Sequence, residues 1–287
     1  MLSVVLAVVV LAAGIAFVWV IMRLDSASEQ IERQQNRITE QDRRLEEQRD
    51  LIERKEEFGA AVSGLLDAVD PLVGLPYDSL VPWDRVETIV DDAWAHRWDA
   101  AGLRRDANEI AALTASLTYE TEAARSRVAT NTSSSPWEAA LDRLGAGWVS
   151  TTFADIAADC GADALACVAS TDPFEVRVAS STRADPKMTD WIRTGVAYHE
   201  YAHVLQFTNP RATNLALTAF DGDSETMADC YALTFLDGWS LEHEVPVDDL
   251  SYWEVSVGYG YSCDQAQKQV IRDWVSGLGV AKRSLGG

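Results

Sequence analysis

Two histidines four residues apart, with a glutamate directly after the first, have the types and spacing that most directly permit chemistry: His199-Glu200-Tyr201-Ala202-His203. The surrounding segment, TDWIRTGVAYHEYAHVLQF, opens on Thr189-Asp190, either of which caps a helix N-terminus. Asn209-Pro210 then stops the helix. Helical side chains at i and i+4 project the same way, one turn apart. Two imidazole nitrogens so placed reach one zinc ion at about 2.0–2.1 Å. Glu200 points toward the same pocket edge and reaches a metal-activated water without ligating the metal, the position of a general base. With only four His in 287 residues, chance production of this pattern is well under ~1%. The competing reading is a satisfied pair of core histidines.

Catalytic zinc needs a third protein ligand and one open position. Ser224 to Phe235 reads as a helix beginning near Asp223 or Ser224, and Glu225 and Asp229 share one of its faces at i, i+4. Glu225 is the candidate third ligand. Asp229 is the candidate acceptor for the free N–H of a ligand histidine, fixing its tautomer. The step from His203 to Glu225 leaves room for the first helix to end and the chain to return. A solvated acidic helix face is the alternative for this pair.

HEYAH followed by ETMADCYA resembles the gluzincins, the thermolysin-like zinc metallopeptidases with HExxH followed by ExxxD. It is most similar to the small neutral zinc metallopeptidase family of bacteria, and the resemblance covers roughly residues 150–240. It implies a Zn2+ cofactor, His199, His203 and Glu225 as ligands, Glu200 as base, Asp229 behind a ligand histidine, and a peptide or protein substrate. It further implies an edge strand that holds extended substrate, for which Phe174–Ala179, alternating after the turn signal Thr171-Asp172-Pro173, is the candidate. A donor for the developing oxyanion is expected downstream, with His243 and Tyr261 carried forward and Tyr252, Tyr259 and Tyr201 also open. His243-Glu244 is followed by Val245-Pro246-Val247, so it is not a second HExxH. The alternative function is a non-catalytic, membrane-anchored interaction protein with a structural or vestigial zinc site.

The elements that must position these residues follow a long N-terminal extension. Leu2 to Met22 carries no charge and is long enough, as a helix, to cross a bilayer. It is expected to be a transmembrane anchor over residues 1–22, with a cleaved signal peptide as the competing reading. Leu24, Ile31, Ile38, Leu45 and Ile52 then recur every seven residues, one seam of a heptad repeat. The partner positions Ala27, Gln34, Gln41, Gln48 and Lys55 are weak. Residues 23–58 are therefore expected to be a helical stalk, either pairing weakly as a dimer or standing as a charged single helix.

Residues 59–135 are expected to be helical. Val86, Val90, Trp94 and Trp98 are spaced as one packing face, and Asn131–Pro136 as a linker. Residues 136–287 are expected to form the metallopeptidase domain. The predicted fold class is α+β, predominantly helical: a zincin-like domain with a small sheet, preceded by anchor and stalk.

Cys160 with Cys167 and Cys230 with Cys263 are candidate disulfides among three possible pairings, against four buried free thiols. Disulfides require an oxidising compartment. The expected location is therefore the cell membrane, single-pass, with the catalytic domain outside the cytoplasm. A net charge of −21 repels phosphate backbones, so nucleic acid is not an expected partner.

Overall fold

A computed structural model describes residues 2–130, 135–260 and 262–285, with the side chains of residues 2–10, 12, 13, 129 and 130 outside the described set. The fold is predominantly helical α+β. The chain forms two units, residues 1–60 with 93–107, and residues 61–92 with 108–287. The stretch expected as one helical region, 59–135, is thus shared between them.

Helix α1 (Leu2–Val69) contributes its first 59 residues to the first unit. Among the described residues no helix is long and apolar enough to cross a membrane. Of the anchor expected over 1–22, residue 1 and the side chains of residues 2–10, 12 and 13 lie outside the described set. Along 23–58 the expected helix is present, and the seven-residue seam is exposed along its whole length.

Helix α2 (Trp83–Ala95) corrects one expectation. Its buried residues are Trp83, Val86, Ile89 and Ala93, while Trp94 and Trp98 are 71% and 74% exposed. Steps of four residues turn about 40° beyond a full circle each, so a series from 86 to 98 drifts about 120° off the face it began on. A mixed three–four step stays on it. The two indoles are capped by cations instead: the Arg97 guanidinium lies 4.9 Å from the Trp94 ring, and the Lys55 ammonium 4.4 Å from the Trp98 ring. His96 is structural, its Nδ1 2.8 Å from Asp106 Oδ2.

Helix α3 (Ala100–Thr130), whose residues from 108 onward belong to the second unit, buries Ile110, Leu117 and Ala124 there. Of the expected linker, residues 131–134 lie outside the described residues. Its end is not a linker: Ser135 caps helix α4 (Pro136–Gly145), its side-chain oxygen accepting from the Trp137 N–H at 3.2 Å, with Pro136 in the first turn.

Strand β1 (Ser150–Ala154), the short helix α5 (Ala157–Cys160), strand β2 (Ala166–Ala169) and strand β3 (Asp172–Ala179) follow. The sheet order is β1-β3-β2, with β1 parallel and β2 antiparallel to β3. Phe174–Ala179 is therefore a strand, but a central one, hydrogen-bonded on both sides. The edge beside it is β2. Val176 and Val178 point their buried side chains to one face, as period-two alternation requires.

Helix α6 (Asp190–Thr208) is buried on almost every side, as its apolar and small residues allow. It packs against α4, against β2 and β3, and against helix α8 (Ser224–Phe235), reached through α7 (Pro210–Ala216). Thr189 caps α6 by accepting from the Ile192 N–H. At its far end Asn209 donates to Leu205 O and to Pro76 O and accepts from the Asp78 N–H, tying the chain at 76–78 to the helix. The antiparallel hairpin of β4 (Glu242–Asp248) and β5 (Ser251–Ser256) precedes helix α9 (Gln265–Ser276), which packs on α8 through Ile271 and Trp274. Both cysteine pairs, Cys160–Cys167 and Cys230–Cys263, are disulfides, which removes the free-thiol alternative.

Candidate metal centre

The site begins with α6. Gly195, one turn before His199, lets the Trp239 indole lie against the helix: a Cβ there would stand 2.1 Å from the ring. One and two turns on, His199 and His203 emerge on the face turned to α8. Asp223 starts α8 by accepting from the Glu225 and Thr226 N–H groups. That start sets Glu225 in the first turn and Asp229 one turn later, both facing α6.

His199 Nε2 and His203 Nε2 lie 3.1 Å apart, and Glu225 Oε2 is 3.2 Å from the first and 3.1 Å from the second. The other nitrogen of each ring is already engaged. His199 Nδ1 donates to Asp229 Oδ1 at 2.7 Å, and His203 Nδ1 to Gln206 Oε1 at 2.8 Å. The Gln206 amide is oriented by its own Nε2, which donates to Ser224 O at 3.0 Å, so its oxygen must face the histidine. Both rings therefore carry the proton on Nδ1 and present a lone pair from Nε2. Two lone pairs and a carboxylate oxygen then converge with no hydrogen among them, an arrangement that could hold a cation at its centre.

The spacing suits one. Tetrahedral ligands at 2.0–2.1 Å from zinc stand about 3.3 Å apart. Two imidazoles with a carboxylate suit zinc by type, and the buried partners Asp229 and Gln206 orient the ligands from behind. A proton is the alternative cation. Although burial opposes it, hydrogen bonds that the protonated ring donates to Asp229 and then to Glu225 push His199 up to about 10. Burial also opposes ionisation of Glu225, but the two histidines hold its carboxyl well below the ordinary range.

The centre opens on a cleft of about 610 Å³. One wall is α6 and α8. The facing wall is the disulfide-closed loop 160–167 with β2, and the 256–259 segment closes the end. Glu200 lines this cleft, is buried, and its Oε2 has no hydrogen-bond partner among the described residues. Burial raises its pKa.

The expected oxyanion donors separate. Tyr259 lines the cleft and stacks on His199 at 6.2 Å, its hydroxyl pushed up to about 12 by burial and then by the Glu225 charge. Its backbone N–H donates to Asp229 Oδ2 at 2.8 Å. Gly258, at φ +97°, makes this possible: a Cβ there would stand 2.7 Å from Asp229 Oδ1. The Cys230–Cys263 disulfide ties the same loop to α8.

His243 does not share the cleft. It sits on β4 with its ring 4.5 Å from that of Trp239, and burial lowers its pKa. Tyr252 is half-exposed on β5, and Tyr201 is buried with its hydroxyl 2.9 Å from that of Tyr77. Tyr261 lies outside the described residues. Gln206 was not anticipated; its place three residues after His203 was the available signal.

No protein-family model, no curated protein and no solved structure matches this chain.

Proposed function

We propose that this chain is a zinc-dependent metallopeptidase with a zincin-like domain, in which His199, His203 and Glu225 hold the metal and Glu200 is the general base. The observation that carries this reading is the set of three converging acceptor atoms beside an unpartnered, buried glutamate at the floor of an open cleft. Zinc held there supplies Lewis-acid polarisation of a carbonyl and acidifies a water.

The protein's own groups do the rest. Glu200 Oε2, free of other partners, takes a proton from the attacking water and passes it to the leaving amine. Tyr259, still protonated at neutral pH, donates to the developing oxyanion. Among the described residues β2 pairs on one side only, and residues 164–168 line the cleft, so its main chain is free to receive an extended peptide by strand addition. The two disulfides support an oxidising compartment, in keeping with a domain outside the cytoplasm held by the apolar N-terminal segment.

The test is zinc content together with hydrolysis of a quenched-fluorescence peptide library. Wild-type protein is expected to bind one zinc and cleave. Glu200→Gln is expected to keep the zinc and lose about 10²–10⁴-fold in rate. Zinc-loaded wild type without hydrolysis would favour the structural-site alternative, and an active Glu200→Gln would remove the general-base assignment.

A further inference from the structure

Within the first unit, Leu24, Ile31, Ile38, Leu45 and Ile52 are each between 50% and 64% exposed, a stripe of large apolar side chains with nothing over it. Their spacing is seven residues four times in succession. A straight helix turns about 20° away from such a stripe per heptad, so a strict seven-residue repeat serves a partner helix that supercoils with it. We propose that this stripe is the seam of a parallel, in-register two-stranded coiled coil between two copies of this chain.

The choice of partner and direction follows from the residues beside the stripe. With Leu24 and its successors at a, the d positions are Ala27, Gln34, Gln41, Gln48 and Lys55. Parallel, in-register chains stack a on a and d on d, giving apolar layers alternating with an Ala27 layer and three Gln–Gln layers whose amides hydrogen-bond each other; the last d residue, Lys55, repels its counterpart but is already held over the Trp98 ring. Antiparallel chains set each a against a d, burying glutamine against isoleucine.

Charge agrees. The ion pairs of α1 join Arg33 to Glu29, Arg43 to Glu40 and Glu47, Arg44 to Glu40, and Arg54 to Asp50, Glu53 and Glu57, all within one helix. Arg37 and Asp42 form no ion pair among the described residues. They occupy g and the following e, the two positions that meet across a parallel dimer. The next such step sets Arg44 against Arg49, a repulsion, although Arg44 is already held by Glu40.

The experiment uses the full chain in detergent. All four native cysteines are in disulfides, so an added one is the sole free thiol. Ala27→Cys and Gln48→Cys, at d near opposite ends, are expected to form interchain disulfides under mild oxidation. Glu29→Cys and Asp50→Cys, on the outer face, are expected to do so at least about tenfold more slowly. Arg49→Glu is expected to tighten the dimer and Arg37→Glu to weaken it, each by about threefold to tenfold in Kd from two symmetric pairs. A monomeric mass at tens of micromolar protein overturns the proposal. So does equal crosslinking at positions 27 and 29, or crosslinking of Ala27→Cys to Gln48→Cys in a mixture in preference to itself.

Discussion

Asp229 donates nothing and accepts twice: Oδ1 takes the His199 Nδ1–H at 2.7 Å, and Oδ2 takes the Tyr259 backbone N–H at 2.8 Å. One buried carboxylate thereby sets the tautomer of a candidate ligand and the placement of the aromatic ring stacked on it. Replacing Asp229 by Asn leaves the shape but offers an amide to the same nitrogen. Zinc affinity is expected to fall about 10–100-fold, read by competition with a chromogenic chelator. Unchanged affinity would show that His199 needs no help from behind.

The protonated cluster makes the metal-free protein sensitive to alkali. His199 is held up to about 10, above its unfolded value of about 6.5. Its contribution is therefore complete below about pH 6.5 and is lost as pH rises toward 10. Glu225 acts in the opposite sense: its pKa is depressed, so its contribution is present above about pH 4.5 and is lost in acid. In chelator, Tm is expected to decline between pH 6.5 and 10. Zinc, which replaces the proton, is expected to bind more tightly over the same interval. Thermal melts at several pH values with and without zinc check both; a flat Tm in chelator would refute the imidazolium.

The disulfides close loops of different size, with sequence separations of 33 and 7. Loop-closure entropy makes the longer one worth more by about 1 kcal/mol. Cys230→Ala/Cys263→Ala is expected to lose about 2–4 kcal/mol and Cys160→Ala/Cys167→Ala less, measured by urea unfolding. The first change also frees the 257–263 loop, so peptide cleavage is expected to fall more than zinc binding does.

Gly195→Ala inserts a methyl group where the Trp239 ring lies against α6. The expected cost is about 1–3 kcal/mol, seen as a lower urea midpoint at constant m. Full stability would mean that the indole swings aside freely.

Much of the centre was legible in the chain because it is local. Thr189 and Asp223 cap the two helices as their types require, and helical periodicity alone brings His199 beside His203 and Glu225 one turn before Asp229. Gln206 follows the same rule and was there to be read. Other features depend on residues far apart in the chain. That Phe174–Ala179 is central rather than an edge follows from which strands flank it, and strand order is not written in the alternation of one strand. That Tyr259 shares the cleft while His243 rests on Trp239 follows from a loop bent at Gly258 and tied by Cys263.

The exposed Trp94 and Trp98 show the same limit, since an apolar residue is buried only where a partner surface meets its face of the helix. The sequence by itself determined the two helices of the site, their caps and the shared faces of the acidic and imidazole side chains, because backbone hydrogen bonding and a 3.6-residue turn act over a few residues. Only the tertiary structure decided that the two helices face each other at hydrogen-bonding distance, because that distance is set by the packing of α4, α9 and the sheet around them.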